Sequence, residues 1–193
     1  MQGKSSPWGT IQDAKELIPG VWTIHTAGHG GVKLDRKLNA RVPEFVRRPG
    51  GWYEEDCEWS LAVVSLAALF EAGWVDQARK TAKSWYPDEY TRLTGENVTA
   101  DESHIVAGRE FVERNRDKWV AIAAWGAWHE AVPSGKVGVF ATVGGVRPSH
   151  GNMVPTAYFL TTKERYDERG SNAYVVRDTD EPWQGPVNLK EEP

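Results

Sequence analysis

Gly50-Gly51-Trp52-Tyr53-Glu54-Glu55-Asp56-Cys57-Glu58-Trp59 runs directly into the apolar block 60–70, Ser-Leu-Ala-Val-Val-Ser-Leu-Ala-Ala-Leu-Phe. Four carboxylates, two indoles and the single cysteine therefore stand at the entrance to a segment whose apolar residues fall on every helical face. Leu61, Val64 and Ala68 make one stripe, and Trp59, Val63, Leu66 and Phe70 another. A helix that is apolar all round is a buried one. The spacing predicts a central core helix over 56–72, closed by Gly73, the residue that best tolerates a left-handed cap.

On the N-terminal side, residues 8–17 and 21–26 read as two strands around Ile18-Pro19-Gly20, because Pro then Gly suits the centre of a type II turn. Residues 33–48 carry Lys33, Arg36, Lys37, Arg41, Arg47 and Arg48 against Asp35 and Glu44, and Pro43 and Pro49 keep them from forming one long helix. They read as a solvated surface loop. On the C-terminal side a second helix is expected over 76–85, ended by Pro87, then a polar link 88–100 and a third helix from 101 to about 118. Residues 119–128 and 136–143, split by Pro133-Ser134-Gly135, read as a second hairpin. A short strand at 158–160, a helix capped by Thr161 or Thr162 and stopped by Gly170, and a strand at 173–177 follow. Residues 178–193 are polar, with three prolines, and are expected to be a disordered tail.

Hairpins with helices grouped between them imply an α+β fold. The expected architecture is an antiparallel sheet built from N-terminal and central hairpins plus C-terminal strands, packed by a helical layer with a buried central helix. At 193 residues, 1–177 is expected to be a single globular domain. No Gly-rich fingerprint follows a strand and opens a helix, which argues against a dinucleotide-binding sheet.

Composition narrows the function classes. A formal charge of −4 is not that of a general nucleic-acid binder. One cysteine excludes an internal disulfide and fits a reducing compartment. The longest apolar run spans residues 61–70, where a membrane helix needs about 20 residues, so no membrane partner is expected. Residues 1–8 lack the layout of a secretory signal. A soluble intracellular protein, cytoplasmic in location, is the expectation. The ten tryptophans read first as core residues, although indoles also suit binding surfaces.

Three segments carry candidate chemistry. Cys57 lies near a helix N-terminus, where the dipole favours the thiolate. His29 and His129 are the histidines best placed to serve it, although the carboxylates around the thiol oppose its ionisation. Glu54, Glu55, Asp56 and Glu58 suit the helix dipole. Neighbours on a helix diverge, so all four meet at one ion only if the backbone is irregular, and a metal would need ligands from elsewhere. No metal and no cofactor is expected on this basis. Thr26-Ala27-Gly28-His29-Gly30-Gly31 reads as a tight turn whose Gly30 and Gly31 amides can form an anion nest. Lys33, Arg36, Arg47 and Arg48, followed by Trp52 and Tyr53, offer cations beside aromatics, so nucleic acid is a candidate ligand of the segment 33–48.

Pro7-Trp8-Gly9, Gly28-His29-Gly30-Gly31 and the segment 51–59 are together similar to an uncharacterised domain family met in phages, plasmids and other mobile elements, over residues 8–177. That resemblance supplies no catalytic residues. It implies a context, that of a mobile-element accessory protein in the cytoplasm of a bacterial host cell, acting on a host complex. Two readings follow. The first is a protein that binds a host protein or nucleoprotein complex, in counter-defence for example, through exposed tryptophans and the contrast between 33–48 and 54–58. The second is a small thiol-dependent hydrolase or transferase with Cys57 as nucleophile and His29 or His129 as base. The sequence leaves the oligomeric state open.

Overall fold

The structure, a computed structural model, describes residues 2–170 and 172–186. The chain divides into two compact units, residues 1–107 and 108–193. The α+β class expected from the sequence is present, built on antiparallel sheets. The two hairpins expected to share one sheet belong to separate four-stranded sheets.

In the first unit, the short strands β1 (Ser5–Ser6) and β2 (Gly9–Thr10) pair with each other. β3 (Asp13–Ile18) and β4 (Val21–His25) form the expected hairpin across Pro19-Gly20. Two further strands, β5 (Gly30–Leu34) and β6 (Trp52–Glu54), complete an antiparallel meander in the order β3-β4-β5-β6. Between them lies α1 (Arg36–Asn39), whose Leu38 amide donates to the Asp35 carboxylate at 2.7 Å. The start of the basic stretch is therefore strand and helix, not loop. It is held to the core by Leu34, Leu38, Val42 and Val46, all buried.

α2 (Glu58–Ser65) is the buried helix anticipated, with Ser60, Leu61, Ala62 and Val63 sealed from solvent. It is shorter than expected. The chain leaves the helix at Leu66, makes a single tight turn at Ala67–Leu69, and becomes extended at Phe70. α3 (Ala72–Trp85) then starts afresh, with Gly73 inside its first turn instead of closing the helix before it. The break lets Phe70 fold back onto Trp74, rings parallel within 5° at 6.1 Å, while Trp59 meets Trp74 edge-on at 5.8 Å. Aromatic pairs in these geometries gain roughly 0.5–1.5 kcal/mol beyond area burial. Pro87 does end α3, but it also opens α4 (Pro87–Thr94), closed by Gly95 at φ 78°. That helix occupies what reads in sequence as a polar link. The core of this unit gathers Val21, Val32, Leu34, Tyr53, Leu61, Leu66 and Tyr90. α5 (His104–Arg114) begins in this unit and ends in the second.

The second unit carries β7 (Trp119–Trp125), β8 (Lys136–Val143), β9 (Thr156–Thr162), α6 (Lys163–Asp167) and β10 (Glu181–Trp183), in the sheet order β10-β9-β8-β7. The Thr162 side chain caps α6 by accepting from the Arg165 amide. The stretch 173–177 makes one bridge, Val120 to Val175, rather than a full strand. Asp178 onward reads as an unstructured tail, yet 181–183 pair with β9. The cause is Trp183. Its ring occupies the space a side chain at Gly138 would fill, and it lies edge-on to Tyr158 and Trp125 at 6.0 Å each. Asp180 adds a buried anchor, accepting from the Tyr174 hydroxyl at 2.7 Å and the Arg177 amide at 2.8 Å. Residues 187–193 of the expected tail lie outside the described residues. Among the described residues, no helix is long and apolar enough to cross a membrane.

Candidate functional site

The register of the first sheet sets two of the sequence-singled segments side by side. Gly31 pairs with Glu54, Val32 with Tyr53 and Lys33 with Trp52. The Glu55 amide donates to the Gly30 carbonyl at 3.1 Å, one residue past the end of β6. His29, in the β4–β5 connection, thus meets the acidic segment. One potential ligand atom from each of His29, Glu54 and Glu55 lies within 4.8 Å of the others. Gly30 and Gly31 are buried residues of β5, not an open turn with free amides. A Cβ on Gly30 would stand 2.6 Å from Glu55 Oε2, and one on Gly31 would stand 2.1 Å from the Tyr53 carbonyl. Their lack of side chains is what lets the acidic segment close on the sheet.

The four carboxylates have separate surroundings. Glu58 forms an ion pair with Arg48 at 2.8 Å and accepts from the Glu54 amide at 3.3 Å, so it ties β6 to α2. Glu54 Oε2 accepts from the Asp56 amide at 2.8 Å, while its Oε1 is buried without a hydrogen-bond partner. Glu55 and Asp56 are exposed.

Beside this cluster is a cavity of about 330 Å³ lined by residues that include Val32, Trp59, Trp74, His25, Glu55 and Gln77. Its lining joins the face of β4 and β5 to α2 and α3. Gly73 also borders it, and a Cβ there would meet open space. Sequence reading singled out Glu55 but missed Trp74 and Gln77, which enter only because α3 restarts at Ala72. His25, the last residue of β4, borders the same cavity.

Cys57 precedes α2 as its N-cap residue and is half-buried. Its Sγ lies 3.1 Å from the Tyr86 hydroxyl. Burial, and then the thiol beside it, push the Tyr86 phenol well above the ordinary tyrosine range. The thiol's hydrogen-bond partner is thus a phenol from the end of α3, a residue the sequence did not mark. His129 belongs to the second unit, where its Nδ1 accepts from the Ala131 amide at 3.2 Å.

Tyr53 is fully buried, donates to Asn39 Oδ1 at 2.7 Å and accepts from the Arg48 amide at 3.3 Å. It is a core residue, and burial raises its phenol. Trp52 is half-buried between Trp8, edge-on at 5.8 Å, and the Lys33 ammonium at 5.0 Å. Lys33 donates to the Gly50 carbonyl at 2.6 Å and to the Leu34 carbonyl, and burial lowers its affinity for the proton. Arg47 donates to the carbonyls of Val42 at 2.8 Å and Ala40 at 3.1 Å. Together with the exposed Arg36, these two cations line a depression of about 390 Å³. Arg48 faces Glu58 instead. The most exposed indoles, Trp85 at 53% and Trp128 at 77%, belong to different units.

No curated protein and no solved structure matches the chain. A family model matches residues 1–116, short of residue 177 to which the sequence resemblance was expected to run. The matched region holds the first sheet, the His29–Glu54–Glu55 cluster and the apolar cavity. On that match the chain belongs to the family described as domain of unknown function DUF7007.

Proposed function

We propose that this chain acts by binding a partner protein, and that the cavity between β4, β5 and α3 is where a side chain of that partner docks. The observation that carries the reading is the cavity's composition. Val32, Trp59 and Trp74 give it apolar walls, while Glu55 adds an exposed carboxylate, with exposed Asp56 next in sequence. Rigid indoles around a concave site are the usual receptors for an apolar anchor residue. The carboxylates favour an anchor flanked by Lys or Arg. A cavity of about 330 Å³ suits one large side chain. A nucleic acid is the less suitable ligand, because two of the three cations around the basic depression already donate to backbone carbonyls. The mobile-element context that the sequence resemblance implies accords with an accessory protein acting on a host complex, inside a bacterial cell.

A random heptapeptide library displayed against the purified chain tests this. The expected outcome is enrichment of peptides pairing a large apolar residue with Lys or Arg, lost when Gly73→Leu fills the cavity. Enrichment that survives Gly73→Leu, or no shared pattern among selected peptides, would overturn the reading.

A further inference from the structure

We propose that His29, Glu54 and Glu55 form a site for one divalent first-row transition-metal ion, Zn²⁺ or Mn²⁺ in class, at the edge of the first unit's sheet. The inference does not rest on the docking reading, although both use Glu55. One imidazole nitrogen with two carboxylate oxygens is a donor set for such ions, whereas Mg²⁺ and Ca²⁺ favour oxygen ligands alone.

The three ligand atoms lie within 4.8 Å of one another. Metal–ligand bonds of about 2.0–2.2 Å place ligand atoms roughly 3–3.5 Å apart, so shifts of about an ångström in rotatable side chains close the set. Consecutive side chains diverge on a regular helix or strand. Here β6 ends at Glu54 and α2 begins at Glu58, and the intervening turn supplies the irregular backbone that lets both carboxylates reach one imidazole. The backbone of His29 is fixed in advance. The Thr26 hydroxyl donates to the His29 carbonyl at 2.7 Å, the Thr26 amide donates to the same oxygen at 2.9 Å, and the His29 amide donates to the Thr26 hydroxyl at 3.2 Å.

A second observation points to a bound cation. Glu54 Oε1 is buried and accepts no hydrogen bond. A buried carboxylate oxygen without a donor is costly, and a cation bound to this carboxylate would offset that cost. Gly30 contributes by omission, since a Cβ there would sit 2.6 Å from Glu55 Oε2 and displace it. Three protein ligands leave at least one coordination position for water or another group. Because Glu55 also lines the apolar cavity, the ion stands at the edge of that cavity.

The test is calorimetric titration of the tag-free, chelator-stripped chain with ZnCl₂, MnCl₂ and MgCl₂, with elemental analysis after dialysis. The expected result is one Zn²⁺ per chain, weaker Mn²⁺, and no Mg²⁺. His29→Ala and Glu54→Gln should each weaken Zn²⁺ binding at least tenfold, and His150→Ala should leave it unchanged. His29 and His150 are both exposed, so circular dichroism is expected to show both alanine variants folded. Absence of Zn²⁺ binding, a stoichiometry other than one, Mg²⁺ competing on equal terms, or an affinity that His29→Ala does not alter would each overturn the proposal. A chain that takes no metal but still selects peptides refutes the metal site and leaves the docking reading standing.

Discussion

Gly31 faces Glu54 across the β5–β6 pair, and a Cβ at Gly31 would lie 2.1 Å from the Tyr53 carbonyl oxygen and 2.5 Å from the Trp8 ring. One of those neighbours is backbone and cannot rotate away. The strand would have to shift, and with it the register that sets His29 beside Glu54 and Glu55. Gly31→Ala should therefore destabilise the first unit by about 1–3 kcal/mol, the range for forcing an extra carbon into a packed site. Urea unfolding followed by tryptophan fluorescence measures it. A variant within about 0.5 kcal/mol of wild type, the scatter typical of surface changes, would mean that β5 and β6 part there without penalty.

Gly73→Leu separates packing from recognition. The position is exposed, in the first turn of α3, and a Cβ there meets open space, so the substitution replaces a helical glycine without a clash at its first carbon. Stability should hold or rise, by less than the roughly 1 kcal/mol that replacing a glycine gains in a helix interior. Gly73 borders the cavity with Trp59 and Trp74, so a leucine there is expected to occupy part of it. The expected signature is an unchanged or higher melting temperature together with loss of peptide selection. A variant that loses both stability and selection would show that Gly73 is needed for packing, not for access.

The contact between Cys57 Sγ and the Tyr86 hydroxyl distinguishes a structural thiol from a catalytic one. Tyr86→Phe removes the hydroxyl and should cost about 1 kcal/mol, a typical net value for one hydrogen bond. Cys57→Ser keeps a group that can bond the phenol, so it should cost less than Cys57→Ala and leave peptide selection intact. Loss of a measurable activity in Cys57→Ser, with unfolding unchanged, would instead favour the thiol-dependent hydrolase or transferase.

Elements with local punctuation were legible. Pro19-Gly20, Pro133-Ser134-Gly135 and the Thr162 cap mark turns and a helix start by chemistry that needs no distant partner, whereas α6 ends at Asp167, short of Gly170. β5 was hidden because its first residues are Gly30 and Gly31, poor strand formers whose value lies in the approach of Trp8 and Tyr53. α4 carries local signals of its own, Pro87 at its first turn, then Asp88 and Glu89, then Gly95, within a stretch whose polar composition reads as a link. β10 depends on Trp183 finding the space above Gly138, 45 residues earlier, and no local pattern announces that. The candidate site follows the same division. Glu54, Glu55 and His29 stood out as residue types, and their meeting depends on the register of β5 against β6.

Glu102 ties the end of the first unit together and gives it an acid-sensitive stability. Its carboxylate accepts from Lys83 at 2.6 Å, from the Thr99 amide at 3.1 Å and from the Thr99 hydroxyl at 3.0 Å. Lys83 first, and Thr99 after it, lower its pKa from 4.5 to about 2. A carboxylate with a folded pKa below its unfolded value contributes stability that is full above the unfolded value and is lost as pH falls through the folded one. The window here runs from about pH 4.5 down to about 2. Glu102→Gln should be less stable than wild type at pH 7, and the difference should shrink toward zero as acid is added across that window. Urea midpoints of the two proteins, taken at several pH values, test the sign as well as the size. A difference that stays constant with pH would mean that Glu102 acts through shape and neutral hydrogen bonds, without its charge.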